Sequence, residues 1–257
     1  MAIALSKKNL KEATYDEIYG GRGYKEKKGP VAWLYKHLKR YERTRYQAVY
    51  NALEKGESLL DIGCGDGEFC ITSKGLFHDV YGVDVSPVRI MNAQKKISER
   101  EDKSSFHFAQ HDVDENLIYP NSFFDTVTSL ATLEYVVYPY RVIQEVRRVL
   151  KQGGHFVVQA SNFTFLPNRL ALLAGKLPTP GGIGECGVDW ERLHNFTPEI
   201  MVKSLRQGGF EILDLTCSGI FPLFRETWPS LLAGDIVIKA RRTSIEPKRN
   251  TSSKRLE

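Results

Sequence analysis

The ten residues Ser58–Gly67, which read SLLDIGCGDG, constrain the fold more than any other stretch of this 257-residue chain. The short apolar run Ser58–Ile62, with glycines on both sides, is typical of a buried strand. Gly63, Gly65 and Gly67 leave alternate positions of the next loop without a Cβ atom, so its backbone can take positive φ and approach a ligand closely. Apolar residues at helical spacing come next. A strand, a glycine turn and a helix form the first unit of a doubly wound α/β sheet, which binds its ligand beyond the carboxyl end of the strand.

The spacing of the three glycines and the charge around them limit the type of ligand. The spacing is G-x-G-x-G, whereas dinucleotide-binding turns have G-x-G-x-x-G, and Glu68 stands where the third glycine of that motif would be. Together with Asp61 and Asp66, Glu68 would repel a pyrophosphate. An acidic turn suits a ligand that carries positive charge, such as an ammonium or a sulfonium.

Two more aspartates follow predicted strands. Val80–Val83 predicts the second strand, and Asp84 comes directly after it, where an acidic side chain can accept the hydroxyls of a ribose. Asp112 follows the strand-like segment Ser105–Gln110, where its side chain could reach an adenine amino group. Because a Ser-Pro pair comes shortly after Asp84, capping a helix is the alternative role for this residue.

The glycine loop and the two aspartates, in this order and at successive strand ends, resemble the class I S-adenosylmethionine-dependent methyltransferases over about Ser58–Asn162. The resemblance implies a Rossmann-like, doubly wound α/β sheet of about seven strands with the last strand antiparallel. It implies S-adenosyl-L-methionine as the cofactor and methyl transfer to a small-molecule or lipid-like acceptor. The cofactor-binding residues that it implies are Asp61, Gly63, Cys64, Gly65, Asp84, Val85, Asp112, Val113 and Leu130.

Segments in the second half of the chain, among them Ser161–Phe163 and His194–Thr197, are similar to the methyltransferase type 11, MetW-like branch of this superfamily. That branch is linked with methionine biosynthesis, beside a homoserine acyltransferase. The similarity therefore implies an alternative function, a non-catalytic S-adenosylmethionine-binding partner of a biosynthetic enzyme. A third interpretation, a nucleotide-sugar or dinucleotide enzyme, is disfavoured by the glycine spacing and the acidic turn.

Glu134 and His194 are the candidate catalytic residues. A general base is needed only if the acceptor carries a proton, as a hydroxyl or an ammonium does. Glu134 follows the predicted fourth strand, Phe123–Leu130, on the side where this fold faces its substrate, and His194 borders a long glycine-rich loop. The alternatives are an exposed glutamate at the start of a helix and a histidine that is hydrogen-bonded to the loop backbone.

Local signals predict several further elements. The Ser-Pro pair at 86–87 predicts a helix to about Ser98 whose inward residues are Val88, Met91 and Ile97. An amphipathic helix after Pro139 is expected to end at Gly153-Gly154, before a strand at 155–160. The last strands are predicted at 210–216 and 235–241.

We expect three regions in the chain: an N-terminal arm and helix at 1–57, a methyltransferase domain at 58–241, and a basic, disordered tail at 242–257. The arm either folds over the cofactor or packs on the body. Within the domain we expect a cap over the acceptor at about 161–195, because this stretch is too apolar for a solvated loop. The alternative is a helix packed on the body with an idle loop behind it. The apolar residues of the stretch are Phe163, Phe165, Leu166, Leu170, Leu172, Leu173 and Trp190.

Charge and cysteine content limit the partners and the compartment. The net charge is +5, with the positive excess at the two ends. Because no aromatic residues alternate with the basic residues of the tail, we expect no nucleic-acid partner, and at most weak contact of the basic ends with an anionic surface. The four cysteines form no C-x-x-C pair, so we expect no zinc or other metal site, no disulfide framework and a cytoplasmic protein. We expect Cys64 to pack in the loop rather than to react.

Overall fold

The computed structural model describes residues 37–179, 182–183 and 192–244. The expectations for the N-terminal arm, for residues 180–181 and 184–191, and for the tail beyond Ser244 lie outside these residues and stay predictions. Within the described residues, no helix is both long and apolar enough to cross a membrane.

The secondary structure of the described residues alternates between strands and helices through the first two thirds of the chain. The strands are β1 (Glu42–Arg43), β2 (Gly56–Ile62), β3 (Phe77–Asp84), β4 (Phe106–Gln110), β5 (Phe124–Leu130), β6 (Leu150–Ser161), β7 (Pro178–Thr179), β8 (Gly182–Ile183), β9 (Phe210–Cys217), β10 (Gly219–Ile220) and β11 (Asp235–Arg242). The helices are α1 (Arg45–Ala52), α2 (Glu68–Ser73), α3 (Pro87–Ile97), α4 (Pro139–Val149), α5 (Leu166–Leu173), α6 (Pro198–Gln207), α7 (Pro222–Glu226) and α8 (Pro229–Leu232).

Seven of the described strands form one sheet in the order β4-β3-β2-β5-β6-β11-β9. Strands β2 to β6 pair in parallel, and β11 is antiparallel to both β6 and β9. This confirms the predicted doubly wound α/β sheet of about seven strands with an antiparallel last strand. The strand order reverses between β2 and β5, and an open α/β sheet binds its ligand beyond the carboxyl ends of the strands at such a reversal.

Different helices cover the two faces of the sheet. One face carries the largest hydrophobic core, where α4 and α6 lie on buried side chains of the central strands, such as Phe156 and Ile238. The other face is covered by α1, α2 and α3, and Val49 of α1 is fully buried beside Val157 and Val237. Burial of each such side chain contributes about 1.5–3 kcal/mol. Helix α1 is therefore part of the main body rather than of a separate arm.

The inward face predicted for helix α3 was wrong at two of three positions. Val88 and Met91 are 47% and 67% exposed, whereas Ile90, Ala93 and Ile97 are buried. A helix with 3.6 residues per turn directs one narrow stripe to the core, and the stripe that contains Ile97 passes through Ile90 and Ala93. Ser86 caps α3 as predicted, since its Oγ accepts a hydrogen bond from the Arg89 backbone N–H at 3.2 Å.

The predicted end of the amphipathic helix at Gly153-Gly154 was also wrong. Helix α4 ends at Val149 and strand β6 begins at the next residue, Leu150. The pairing of β6 with β5 shifts after Leu150 so that His155 lies opposite Thr126, and Gly153 takes a φ of 77° in the bulge between them. The glycines therefore shape a bulge inside a strand, and the strand pairing itself ends the helix.

The segment between β6 and α6 leaves and re-enters the sheet at one point. Asn162 forms a parallel bridge with Phe196, and the Phe163 backbone N–H donates to the Phe196 carbonyl at 2.8 Å. The Asn162 side chain is buried, and its Nδ2 donates to the carbonyls of Pro229, Ser230 and Ala233. Both ends of this excursion are thus fixed to the body.

Candidate functional site

The glycine loop, residues 63–67, lies at the carboxyl edge of the sheet. Gly63, Gly65 and Gly67 take φ values of 72°, 54° and 73°, a region that non-glycine residues rarely adopt. The backbone N–H groups of Gly63 and Cys64 both donate to the Val83 carbonyl, at 2.7 and 3.0 Å. These bonds fix the loop after β2 to the end of its neighbour β3.

The three glycines face different surroundings. A Cβ added to Gly63 would lie 2.1 Å from Thr132 Oγ1, and one added to Gly67 would lie 2.8 Å from the phenyl ring of Phe108 in β4. At Gly65, the heavy atoms that an added Cβ would approach belong to the guanidinium end of Arg89, with Nη1 at 2.8 Å. Gly63 and Gly67 are therefore required by packing within the protein, whereas Gly65 faces space that a flexible side chain can vacate.

Asp84 is buried at the end of β3 and holds the glycine loop. Its Oδ2 accepts a hydrogen bond from the Gly65 backbone N–H at 2.8 Å, and its Oδ1 accepts one from the Ser86 backbone N–H at 2.9 Å. Burial raises the pKa of Asp84, and these two hydrogen bonds and the charge of Arg89 oppose the rise. Each carboxylate oxygen has a further lone pair, so the group can still accept hydroxyl protons.

Asp61 lies buried in β2, below the glycine loop. Thr128 Oγ1 of the neighbouring strand β5 donates a hydrogen bond to Asp61 Oδ1 at 2.8 Å. Burial raises the pKa of Asp61 to about 7, the hydrogen bond from Thr128 opposes this, and the nearby charge of Asp84 adds to it. A positive charge close to this carboxyl group would favour its ionised form.

Asp66 and Glu68, the other two acidic residues of the turn, have a basic neighbour that the sequence pattern does not indicate. Asp66 and Glu68 lie beside Lys96 of helix α3, with carboxylate-to-Nζ distances of 3.8 and 3.2 Å. Their charges are thus offset on the outer side of the loop. The carboxylates on its inner side are those of Asp61 and Asp84.

The loop after β4 brings two more predicted residues to the same edge. The His111 backbone N–H donates to the Asp84 carbonyl at 2.9 Å, which places Asp112 and Val113 beside the end of β3. Val113 is buried and Asp112 is half-buried, with its Oδ1 accepting from the Asp114 backbone N–H at 3.1 Å.

The remaining cofactor-binding candidates lie at the same edge. Val85 follows β3 and Leu130 ends β5, and both are half-buried. Cys64 is buried in the glycine loop. A hydrogen bond with Cys70 acts to lower the pKa of its thiol, but burial and the charges of Asp61 and Asp84 together raise the pKa. The fold therefore brings all nine candidates to the carboxyl ends of four neighbouring strands, β2 to β5.

Glu134 is buried, so the alternative of an exposed glutamate was wrong. Its Oε1 accepts a hydrogen bond from the Ser161 backbone N–H at 2.9 Å. Its Oε2 is buried and has no hydrogen-bond partner among the described residues. Burial raises the pKa of Glu134, while the Ser161 hydrogen bond and the charge of Arg192 oppose the rise.

His194 lies next to Glu134 through the backbone. Its N–H donates to the Glu134 carbonyl at 3.0 Å, and its imidazole Nε2 lies 3.3 Å from the Val137 carbonyl. The imidazole thus contacts the backbone of the loop between β5 and α4. A proton-transfer role for either residue stays a prediction.

Sequence reasoning missed four residues of this edge. Thr128 of β5 donates to Asp61, and Thr132, in the loop after β5, lies against the position of Gly63. Nothing local in the sequence marks either threonine. Tyr46 of α1 lies beside the glycine loop, where burial, followed by the charges of Glu68 and Asp61, raises its pKa. Gln159 of β6 is fully buried, and neither atom of its amide has a hydrogen-bond partner in the described part of the chain. A glutamine in the apolar run FVVQA was the signal available for it.

The predicted cap is described only in part. Helix α5 forms within this stretch, but Leu170, Leu172 and Leu173 are exposed, the last by 85%. The expectation that these leucines are buried over a pocket is therefore not met within the described residues. The cap itself stays a prediction.

Comparison with known proteins identifies the family. Residues 60–158 match the model of a methyltransferase domain family. A ubiquinone biosynthesis O-methyltransferase of Acinetobacter baylyi is 24% identical over 177 residues, which cover 67% of this chain and 71% of that protein. A 27-O-demethylrifamycin SV methyltransferase of Amycolatopsis mediterranei is 32% identical over 127 residues, which cover 48% of this chain and 44% of that protein. The solved structure of an S-adenosylmethionine-dependent methyltransferase from Methanosarcina mazei shares the fold, with a TM-score of 0.57 at 23% identity over 78% of this chain and 99% of that one.

The methyltransferase-domain match at 60–158, the methyltransferase relatives and the shared fold support the class I S-adenosylmethionine-dependent methyltransferase superfamily, as the resemblance implied. The chain is a methyltransferase, and the methyl donor of this superfamily is S-adenosyl-L-methionine. No comparison tests the MetW-like branch or the individual site residues.

Proposed function

We propose that this methyltransferase transfers a methyl group to an oxygen atom of a small or lipid-like molecule, with the glycine loop, Asp84 and Asp112 holding S-adenosylmethionine. The observation that carries the proposal is the meeting of these three features at the carboxyl ends of β2, β3 and β4, beside the reversal of strand order. The choice of oxygen rests on the relatives, since the ubiquinone biosynthesis and malonyl-[acyl-carrier protein] enzymes are both named O-methyltransferases.

The residues present fit this cofactor. The backbone at Gly65 faces space that is bounded by the movable end of Arg89, so a ligand can lie against it. Asp84 keeps lone pairs for the two ribose hydroxyls, and Asp112 is the candidate for the adenine amino group. Val85, Val113 and Leu130 supply apolar contacts at the same edge, and Asp61 supplies negative charge below the loop.

The bound cofactor supplies a methyl group that is already activated by a sulfonium, so the protein mainly has to orient the reacting atoms. Asp61 has a pKa of about 7, and a neighbouring positive charge would lower it. Asp61 is therefore expected to release its proton when the ligand binds near neutral pH. Cofactor affinity should accordingly rise as the pH passes upwards through 7.

A hydroxyl acceptor must lose its proton, and Glu134 is the candidate that would take it. Its Oε2 is buried without a partner in the described residues, and its raised pKa favours proton uptake. His194 lies beside it and is the second candidate. Oε1 is held by Ser161, which would keep the carboxyl plane fixed during this transfer.

The test is incubation of the purified chain with methyl-labelled S-adenosylmethionine and a panel of phenols, carboxylic acids and lipid extracts. Label in an organic-soluble ether or ester supports the proposal, and label on nitrogen alone contradicts the choice of oxygen. Tight binding of S-adenosylhomocysteine without turnover of any fraction would instead favour the non-catalytic partner function.

A paired substitution tests the cofactor site independently of the acceptor. Asp84→Ala removes a buried acceptor of charged hydrogen bonds, a loss of about 1.5–3 kcal/mol that weakens S-adenosylhomocysteine binding roughly ten- to over a hundredfold. Asp79→Ala, in the same strand but near its amino end and beside His78, is the control and should bind as the parent does. Equal affinity of the two folded variants would refute the role given to Asp84.

Contact with a partner enzyme, weak contact of the basic ends with an anionic surface, and a cytoplasmic location stay predictions from the sequence.

A further inference from the structure

A cavity lies at the amino-terminal edge of the main sheet, opposite the edge that carries the glycine loop. Strands β5 and β6 begin there and β11 ends there, beside the last turn of α4. The volume of the cavity is about 320 Å³, the lower end of the range for small-molecule pockets. Its lining residues are Asn121, Ser122, Gln144, Arg147, Arg148 and Arg242.

The lining is strongly positive. Three of its residues are arginines and the other three are neutral hydrogen-bonding residues, so no acidic side chain of the described residues lines the cavity. Arg148 is already neutralised, because its Nε and Nη2 donate to the Glu145 carboxylate at 2.8 to 3.2 Å. The charge that a ligand would meet comes from Arg147 and Arg242.

Arg242 is held in place by neutral acceptors. Its Nη1 donates to Ser122 Oγ and to the Leu150 carbonyl, and its Nε is buried without a hydrogen-bond partner among the described residues. Burial, and after it the positive charge of Arg147, lowers the pKa of Arg242. Two positive charges in a half-buried site repel each other, and an anion bound between them would remove that cost.

Arg147 approaches the cavity from the last turn of α4. Its Nη2 donates to the Thr243 carbonyl at 3.3 Å, in the residue next to Arg242. A cation in the last turn of a helix also interacts favourably with the helix dipole, which explains one arginine here. It does not explain Arg242, which belongs to a strand on the other side of the cavity.

We propose that this cavity binds the phosphoryl group of a small phosphate monoester. Guanidinium groups are planar, charged donors that match phosphate oxygens, and those of Arg147 and Arg242 both line this cavity. The Ser122 hydroxyl and the Asn121 and Gln144 amides offer neutral donors at the rim for the remaining oxygens. The site lies away from the cofactor edge and would therefore serve regulation or anchoring rather than methyl transfer.

The experiment is calorimetric titration of the full chain with inorganic phosphate and with glycerol phosphate, against sodium chloride of the same ionic strength. We expect saturable binding that Arg147→Gln and Arg242→Gln each weaken at least about tenfold, since each loses charged hydrogen bonds to the ligand. Arg241→Gln is the matched control and should bind as the parent does, because Arg241 pairs with Glu211 away from the cavity. Urea unfolding without phosphate checks that each variant is folded. If Arg242→Gln does not fold, Arg147→Gln alone still tests the proposal.

Binding of the same strength by the parent, Arg147→Gln and Arg241→Gln would overturn the proposal, as would a heat signal no larger than that of sodium chloride. Binding that appears only in a chain ending at Ser244 would also overturn it, since residues 245–257 would then compete for the cavity. Two supporting results separate the sources of the phosphoryl group. Co-sedimentation with phosphatidic acid vesicles that Arg147→Gln abolishes assigns it to a lipid headgroup, and binding of glycerol phosphate without co-sedimentation assigns it to a soluble metabolite.

Discussion

Alanine placed at Gly63 and at Gly65 should separate the packing role of the glycine loop from its ligand-binding role. Both positions have positive φ, so each alanine carries a backbone cost of about 1–2 kcal/mol. At Gly63 the new methyl group would also lie 2.1 Å from Thr132 Oγ1 and 2.6 Å from its Cγ2. Overpacking of this kind typically costs a further 1–3 kcal/mol or so.

We therefore expect Gly63→Ala to lower the free energy of unfolding by about 2–5 kcal/mol and Gly65→Ala by about 1–2 kcal/mol. Urea unfolding measures both values. The order should reverse for S-adenosylhomocysteine affinity per molecule of folded protein, because the methyl group at Gly65 would occupy the space proposed for the ligand. Equal stability of the two variants would refute the packing argument.

Thr132→Ala completes a double-mutant cycle for the same contact. Alone it removes the hydrogen bond from Thr132 Oγ1 to the Ile62 carbonyl, a loss of about 1 kcal/mol. Combined with Gly63→Ala it also removes the two closest atoms of the clash, so the coupling between the substitutions should be favourable by about 1 kcal/mol or more. Rescue will be partial, since Thr132 Cβ would still lie 2.9 Å from the new methyl group. Strict additivity would show that the clash is relieved elsewhere.

Three further results are expected. Because the folded-state pKa of Asp61 is raised to about 7, its contribution to stability is lost as the pH rises from the unfolded-state value of 3.8 towards 7. The stability of Asp61→Asn relative to the parent, measured by urea unfolding, should therefore increase by about 2 kcal/mol between pH 5.5 and 8. A constant difference between the two proteins would contradict the raised pKa. Gln159→Met should stabilise the ligand-free chain by about 1 kcal/mol, because it removes a buried amide without described partners, whereas a clear loss of stability would show that the amide is satisfied. A chain that ends at Ser244 keeps the Arg242 contact with Leu150 and should bind S-adenosylhomocysteine within about twofold of the parent by calorimetry; a larger loss would place the tail in the site.

The parts of the fold that the sequence predicts correctly are those that depend on neighbouring residues. The apolar run before Gly63, the glycines after it and the cap at Ser86 each determine local backbone geometry, and each is found as expected. The placement of Asp84 beside the loop also follows, because parallel strands bring their carboxyl ends to one edge.

The parts that were wrong or missed depend on contacts between distant residues. Gly153 lies in a bulge because of the pairing with β5, which no local pattern contains. Asp66 has an ion-pair partner in Lys96, one helix further along the chain, and Thr132 reaches Gly63 from the loop after β5. Each of these contacts depends on strand register, and spacing along the chain does not specify register when both faces of a sheet are buried.

The bridge that joins the two ends of the segment between β6 and α6 affects how the preference for a methyl acceptor can change. Asn162 and Phe196 bring the two ends of the excursion together, so its length and sequence can vary without moving the strands that hold the cofactor edge. Doubling the length of a loop with fixed ends adds only about 0.6 kcal/mol of closure entropy. Grafting of whole excursions from other methyltransferases onto this frame is therefore thermodynamically inexpensive, provided that Asn162 and its three carbonyl partners are retained.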